Sequence, residues 1–90
     1  MNVVWRPKAR DDLRAISDYI SDFDQAAALR LRDRVFDLAE RIGEFPYMFR
    51  KGRTPNTREA VAHPNYILVY RVGADAVEIL SVIHSRQQYP

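Results

Sequence analysis

Apolar and polar residues in the first half of the chain follow the period of an α-helix. After Val3 to Trp5, a β-branched and aromatic stretch that predicts a strand, apolar residues recur every three or four positions from 7 to 22. A second apolar stripe runs from Ala28 to Ile42, with Asp24 as the expected N-cap and Gly43 at the expected C-terminal cap. The short connection between the stripes predicts an antiparallel helical hairpin.

The second half changes to the two-residue period of β-strands. Residues 44–57 have no clear period and contain Pro46, Gly52 and Pro55, which predicts a loop. Beyond it, strands are predicted at 58–62, 66–72 and 77–83, with turns at 63–65 and 73–75. The order β-α-α-β-β-β predicts an α+β fold, in which the helical hairpin packs on a mostly antiparallel four-stranded sheet.

Both faces of the last two predicted strands are rich in apolar residues. Leu68 points to one face of its strand and Val69 to the other, because side chains alternate. Two helices cover one face of such a sheet, so we expect another chain, or the aromatic residues of loop 44–57, to cover the second face. In the last predicted strand, 77–83, one face is expected to carry Val77, Ile79, Ser81 and Ile83. The residues predicted to be buried are Leu13, Ile16, Leu31, Val35, Leu38, Val69 and Ile79.

Length and composition limit the class of protein. Ninety residues are enough for one core, so we expect a single domain spanning 1–90. The absence of cysteine excludes disulfides and thiolate metal sites, and we expect neither a metal nor a cofactor. No run approaches the roughly 20 apolar residues that span a bilayer, and the first residues lack the pattern of a secretory signal. We therefore expect a cytoplasmic protein without a membrane partner.

The distribution of charge says more than the net charge of +2. No acidic residue occurs between Phe45 and Arg58, a segment that also holds Arg50, Lys51 and Arg53. Such a local excess of positive charge is typical of a contact with a polyanion or an acidic partner, and also of a solvated basic loop.

Several segments carry a resemblance to a known family. They are residues 9–16 (ARDDLRAI) with Tyr19-Ile20, 45–46 (FP), 52–53 (GR), 57–61 (TREAV), 66–72 (YILVYRV) and 77–90 (VEILSVIHSRQQYP). In this order and spacing the chain resembles the ParE/RelE superfamily of type II toxins, and its ParE-like branch, over nearly the whole length.

The resemblance implies a toxin that is neutralised by a cognate antitoxin, in a heterodimer or heterotetramer. The C-terminal segment of such an antitoxin wraps the groove and the sheet of the toxin. The resemblance also implies growth arrest, plasmid stabilisation and contact with DNA only through the antitoxin. RelE-like members cleave mRNA in the ribosomal A site, whereas ParE-like members poison DNA gyrase.

Metal-free RNA cleavage needs groups that move protons and cations that hold the charge of the phosphorane. The candidates for this chemistry are His84, Arg86 and Tyr89, since histidine suits proton transfer near neutral pH and Arg86 matches a phosphate-binding arginine of the RelE-like pattern. His84 could instead be a hydrogen-bonded residue at a strand end. Arg86 could instead pair with Glu59 or Glu78.

Two departures from the RelE-like pattern favour the gyrase hypothesis. Ala62 stands where those enzymes carry a basic residue, and no basic extension follows the last predicted strand before Pro90. We therefore expect a gyrase-inhibiting toxin, with ribosome-dependent mRNA cleavage as the alternative and an inactive binding module as the third hypothesis. The predicted contact surface for the target or the antitoxin consists of Arg50, Lys51, Arg53, Arg58 and Arg86.

Overall fold

The computed structural model describes residues 1–87. Its elements are β1 (Asn2–Trp5), α1 (Pro7–Ser21), α2 (Gln25–Glu44), β2 (Arg50–Lys51), β3 (Arg58–His63), β4 (Tyr66–Val72) and β5 (Ala76–His84). The predicted α+β fold is confirmed, because the two helices pack together and against a mostly antiparallel sheet. Within residues 1–87, no helix is long and apolar enough to cross a lipid bilayer.

Local sequence signals set the starts of both helices. Pro7 is the first residue of α1, a position where the missing N–H of proline is not needed. Asp24 caps α2 as predicted, since its Oδ1 accepts a hydrogen bond from the backbone N–H of Ala27 at 3.0 Å.

Gly43 does not cap α2 as predicted. The helix continues to Glu44, and Gly43 does not adopt the left-handed conformation that a glycine cap uses. Gly43 instead allows β1 to approach the helix: an added Cβ would lie 2.8 Å from Val3 Cγ2 and 2.9 Å from the carbonyl oxygen of Met1.

The sheet has one strand more than predicted, in the order β1-β5-β4-β3-β2. The additional strand, β2, lies inside the segment predicted as a loop and pairs antiparallel with β3, with Arg50 opposite Glu59 and Lys51 opposite Arg58. Two residues are too few to produce an alternating pattern. At the other edge β1 pairs with β5 in parallel.

A β-bulge changes which residues of β5 face the helices. Val69 of β4 pairs with Ser81, whereas the next residue, Tyr70, pairs with Ile79, so Leu80 is an extra residue. The regular alternation predicted for β5 is therefore wrong, because the residues that follow the bulge face the side opposite to the predicted one.

The main core lies between the helices and the sheet. Four of the predicted core residues are buried there, namely Leu13, Leu31, Val35 and Ile79. Ile16 and Leu38 are partly buried against this core. Val69 is buried as predicted, but on the opposite face of the sheet, in a small cluster with Ile67 and Ile83.

The second face of the sheet is less exposed than the sequence suggests. The three cluster residues are each at most 3% exposed in the chain alone. The expectation that loop 44–57 covers them with its aromatic residues is wrong: Phe49 packs instead on Tyr70, with ring centroids 6.4 Å apart, on the helix side. Val61, which pairs with Ile67, stays 54% exposed beside the cluster.

Candidate functional site

The β2–β3 ribbon carries most of the predicted basic surface around a buried carboxylate. Glu59 is only 3% exposed, and its Oε1 accepts a hydrogen bond from the Arg50 guanidinium at 2.9 Å. Its Oε2 lies 3.2 Å from the backbone N–H of Arg53 and 3.4 Å from Arg53 Nε. A buried carboxylate needs such partners, because an isolated buried charge is strongly unfavourable.

Arg53 also joins the ribbon to the end of β5. Its Nη1 donates to the carbonyl oxygen of Gln87 at 2.8 Å, so its side chain reaches across the second face of the sheet from the turn after β2 to the turn after β5. The aliphatic part of such an arginine can cover apolar surface.

Arg58 points to the opposite side of β3 from Glu59, because neighbouring residues in a strand alternate. Its Nη1 donates to the carbonyl oxygens of Phe49, at 2.7 Å, and Tyr47, at 3.3 Å. The guanidinium lies 5.1 Å from the centre of the Tyr47 ring, within cation–π range. Arg58 therefore holds the segment that leaves α2.

Tyr70 also holds the segment that leaves α2. Its hydroxyl donates to the carbonyl oxygen of Pro46 at 2.6 Å. Burial raises the pKa of Tyr70 above its ordinary value, and the positive charge of Arg58 partly opposes this change.

The turn from Gly52 to Thr57 closes the end of the ribbon. The Gly52 N–H donates to the Thr57 carbonyl oxygen at 2.8 Å, and Asn56 adopts a left-handed φ of 62°. A Cβ at Gly52 would lie 2.2 Å from Thr57 Oγ1, so the turn requires glycine there. The turn borders an open cleft of about 580 Å³, lined also by Lys51, which has no ion pair among residues 1–87.

His84 and Arg86 lie at the other end of the sheet. His84 ends β5 beside Tyr66, with ring centroids 5.5 Å apart, and its Nδ1 accepts the backbone N–H of Arg86 at 3.1 Å. In the neutral ring the proton is therefore on Nε2. The side chain of Arg86 is exposed.

The structure does not gather the predicted residues into one site. On β4, Tyr66 pairs with His84 and Tyr70 pairs with Arg58. These two tyrosines are four residues apart, so His84 and Arg58 are separated by about 14 Å along the strand direction. Glu78 binds Arg71, whose hydrogen bond lowers the pKa of that carboxyl group. Tyr89 lies outside the described residues. Over residues 1–87, no three acidic or histidine side chains come close enough to hold a metal ion.

Residues 3–89 match the family described as the ParE toxin of the type II toxin–antitoxin system parDE. The chain belongs to this family. It is therefore the toxin component of a type II toxin–antitoxin module, and its partner is a cognate antitoxin. The predicted membership of the ParE/RelE superfamily is confirmed.

The chain spans most of the length of the relatives and of the solved structure to which it is similar. It is 40% identical to the protein Y4kP of Sinorhizobium fredii, over 96% of this chain and 90% of that protein. It is 38% identical to toxin RelE2 of Caulobacter vibrioides, over 92% and 93%. The fold is similar to that of the chromosomal ParDE system of P. aeruginosa, with a TM-score of 0.82, 19% identity, and coverage of 93% and 95%.

A second group of basic residues was not predicted from the sequence. Arg30 and Arg34 lie on the wall of a cleft whose other side is formed by the turn between β3 and β4. Their spacing of four residues, one helical turn, was a usable signal. The sequence does not show that the turn between β3 and β4 lies opposite these arginines, because that arrangement results from the packing of α2 on the sheet.

Proposed function

We propose that this toxin arrests growth by binding and inhibiting DNA gyrase. The observation that supports this proposal is that the arginines of the ribbon are occupied by groups of the protein itself. Arg58 binds two backbone carbonyl oxygens, and Arg50 and Arg53 surround the buried Glu59. A site that stabilises a phosphorane needs cations aimed at the reacting phosphate, and these three are already engaged.

The same contacts favour a rigid binding surface. They tie the backbone of Tyr47 and Phe49 to β3 and leave the loop surface exposed to solvent. The loop surface is defined as Phe45, Tyr47, Met48 and Lys51. Exposed aromatic and apolar side chains next to cations are typical of the residues that dominate binding energy in protein interfaces. Binding to a surface such as that of gyrase needs no acid–base pair.

The test is gyrase-mediated DNA cleavage by the purified chain and two double variants. Met48→Ala/Lys51→Ala removes an apolar and a basic side chain from the loop surface. Leu29→Ala/Arg14→Ala removes the same two kinds of side chain from exposed positions on the helices. We expect the first variant to require an about tenfold or higher toxin concentration for the same cleavage, and the second to behave as wild type. Equal effects of the two variants, or no gyrase activity in the wild type, would contradict the proposal.

Ribosome-dependent mRNA cleavage is the second candidate, favoured by the geometry of His84. Its Nδ1 is occupied by the N–H of Arg86, which leaves Nε2 on a half-buried ring next to an exposed arginine. If this pair cleaves RNA, His84→Ala or Arg86→Ala should lower the cleavage rate about a hundredfold or more on ribosomes. On this alternative the wild-type chain should cleave mRNA on ribosomes and leave the activity of gyrase unchanged.

We propose that the antitoxin contacts the second face of the sheet. Val61 supplies an exposed apolar side chain there, and Arg50 is half exposed despite its ion pair. An acidic and apolar segment would complement both. Val61→Asp should weaken the binding of the antitoxin, whereas Leu29→Asp on α2 should not. Calorimetry with the co-expressed partner measures the affinity. The opposite result would place the antitoxin on the helices.

A further inference from the structure

A cleft of about 360 Å³ lies between α2 and the turn that joins β3 to β4. Arg30 and Arg34 form its helical wall, and His63, Asn65 and Tyr66 form the wall on the side of the sheet. We call it the Arg30–Arg34 cleft. Among residues 1–87, none of those that line the cleft is acidic.

The two arginines of the cleft have no acidic partner within residues 1–87. Asp33 and Asp37 follow them by three residues on α2, a spacing that permits ion pairs, but neither pair forms. Two like charges one turn apart slightly destabilise a helix. No ion pair within residues 1–87 offsets this repulsion, whereas a bound anion would.

The sheet side of the cleft adds neutral donors. His63 Nδ1 accepts the backbone N–H of Asn65 at 3.1 Å, so the neutral ring carries its proton on Nε2 and can donate it to a ligand. The Tyr66 ring packs 5.9 Å from that of His63, and its hydroxyl has no hydrogen-bond partner among residues 1–87. Ile20 and Leu31 supply an apolar part of the lining.

We propose that the Arg30–Arg34 cleft binds the terminal phosphate group of a nucleotide or of a nucleic-acid end. Arginine side chains match phosphate oxygens with paired donors, and a phosphate monoester offers three such oxygens to donors on several sides. The volume of the cleft lies within the range of small-ligand sites, and its apolar part suits the carbon atoms next to the phosphate. This inference does not depend on the target of the toxin.

The experiment is a titration of the ¹⁵N-labelled full chain with uridine 5′-monophosphate, followed by NMR. We expect saturable shifts of the Asn65 and Tyr66 amides, with a Kd of roughly 1 mM or lower, and no such shifts with uridine, which lacks the phosphate. Arg34→Gln should weaken binding about tenfold or more, because a charge-assisted hydrogen bond is lost. The matched control, Arg14→Gln, removes the same charge from an exposed position on α1 and should change Kd less than about twofold.

A second arm compares a short oligonucleotide with and without a 5′-phosphate. Tighter binding of the phosphorylated strand than of the mononucleotide would assign the cleft to a nucleic-acid end, and the reverse to a free nucleotide. The comparison of the two oligonucleotides also tests the expectation that DNA is contacted only through the antitoxin. If Arg34→Gln does not fold, Arg30→Gln replaces it.

Several results would overturn the proposal. They are the absence of saturable shifts, an equal loss of binding in Arg14→Gln, equal binding of the unphosphorylated strand, and displacement of the nucleotide by a glutamate-rich peptide at lower concentration. The last result would make the cleft a contact for an acidic protein segment.

Discussion

The β2–β3 ribbon and the Arg30–Arg34 cleft have the same positive charge but different surroundings. In the ribbon, Arg50 and Arg53 face a buried carboxylate and Arg58 binds backbone carbonyl oxygens. In the cleft, Arg30 and Arg34 face neutral donors. A basic segment of sequence can therefore be part of the framework, while arginines without an ion pair in residues 1–87 line a cleft on a helix that also carries acids.

The largest expected effect is that of Glu59→Ala, which removes the acceptor at the centre of the ribbon. The free energy of unfolding should fall by about 2 to 3 kcal/mol, because Arg50 and Arg53 lose their acidic partner and a buried space is left. Denaturation with urea measures this change. Glu78→Ala, which removes a partly exposed partner of Arg71, is the control and should have a much smaller effect. Equal effects would mean that the ribbon arginines do not stabilise the fold.

Arg58→Lys should lower the free energy of unfolding by about 1 to 2 kcal/mol. Lysine keeps the charge but cannot reproduce the guanidinium contacts with two carbonyl oxygens and the Tyr47 ring. Arg86→Lys makes the same change at an exposed turn position and should be nearly neutral. A neutral Arg58→Lys would indicate that the charge alone matters at this position.

Tyr70→Phe should cost about 1 kcal/mol, since the hydrogen bond to the Pro46 carbonyl oxygen is lost. The variant also changes the dependence of stability on pH. Burial raises the pKa of Tyr70 in the folded state, so the unfolded chain ionises first and the wild type loses stability as the pH rises above about 10.

This loss should be smaller in Tyr70→Phe. Tyr66→Phe removes a hydroxyl without a hydrogen-bond partner in residues 1–87 and is the matched control, with an expected change within about 0.5 kcal/mol. If the free energy of unfolding of wild type and of Tyr70→Phe falls equally above a pH of about 10, the raised pKa of Tyr70 does not cause the alkaline loss of stability.

The smallest expected effect is that of Arg34→Gln on stability. Because Arg34 has no ion pair in the described part of the chain and glutamine is a good helix former, the change should lie within about 0.5 kcal/mol. A large loss of stability would show that the cleft arginines are structural like those of the ribbon.

Patterns within single elements predicted most of the fold. The apolar stripes located both helices, Asp24 marked the start of α2, and alternation located the three long strands. Features that depend on contacts between elements could not be predicted in this way. The bulge at Leu80 exchanges the faces of β5 without any local signal, and Gly43 resembles a helix cap although its role is to admit β1.

The candidate site was less predictable than the fold for the same reason. The sequence showed that residues 45–58 are basic, but not that Glu59 is buried between Arg50 and Arg53. It also could not place the turn at His63 opposite Arg30, because these residues are 33 positions apart (63 − 30) and meet only through packing.

The central proposal is that the toxin acts by binding gyrase and not by cleaving RNA. The most direct measurement applies the purified wild-type chain in parallel to gyrase with supercoiled DNA and to ribosomes translating a defined mRNA. We expect gyrase-dependent DNA cleavage or loss of supercoiling activity, and intact mRNA. Cleavage of mRNA in the A site, abolished by His84→Ala while gyrase stays fully active, would contradict the proposal.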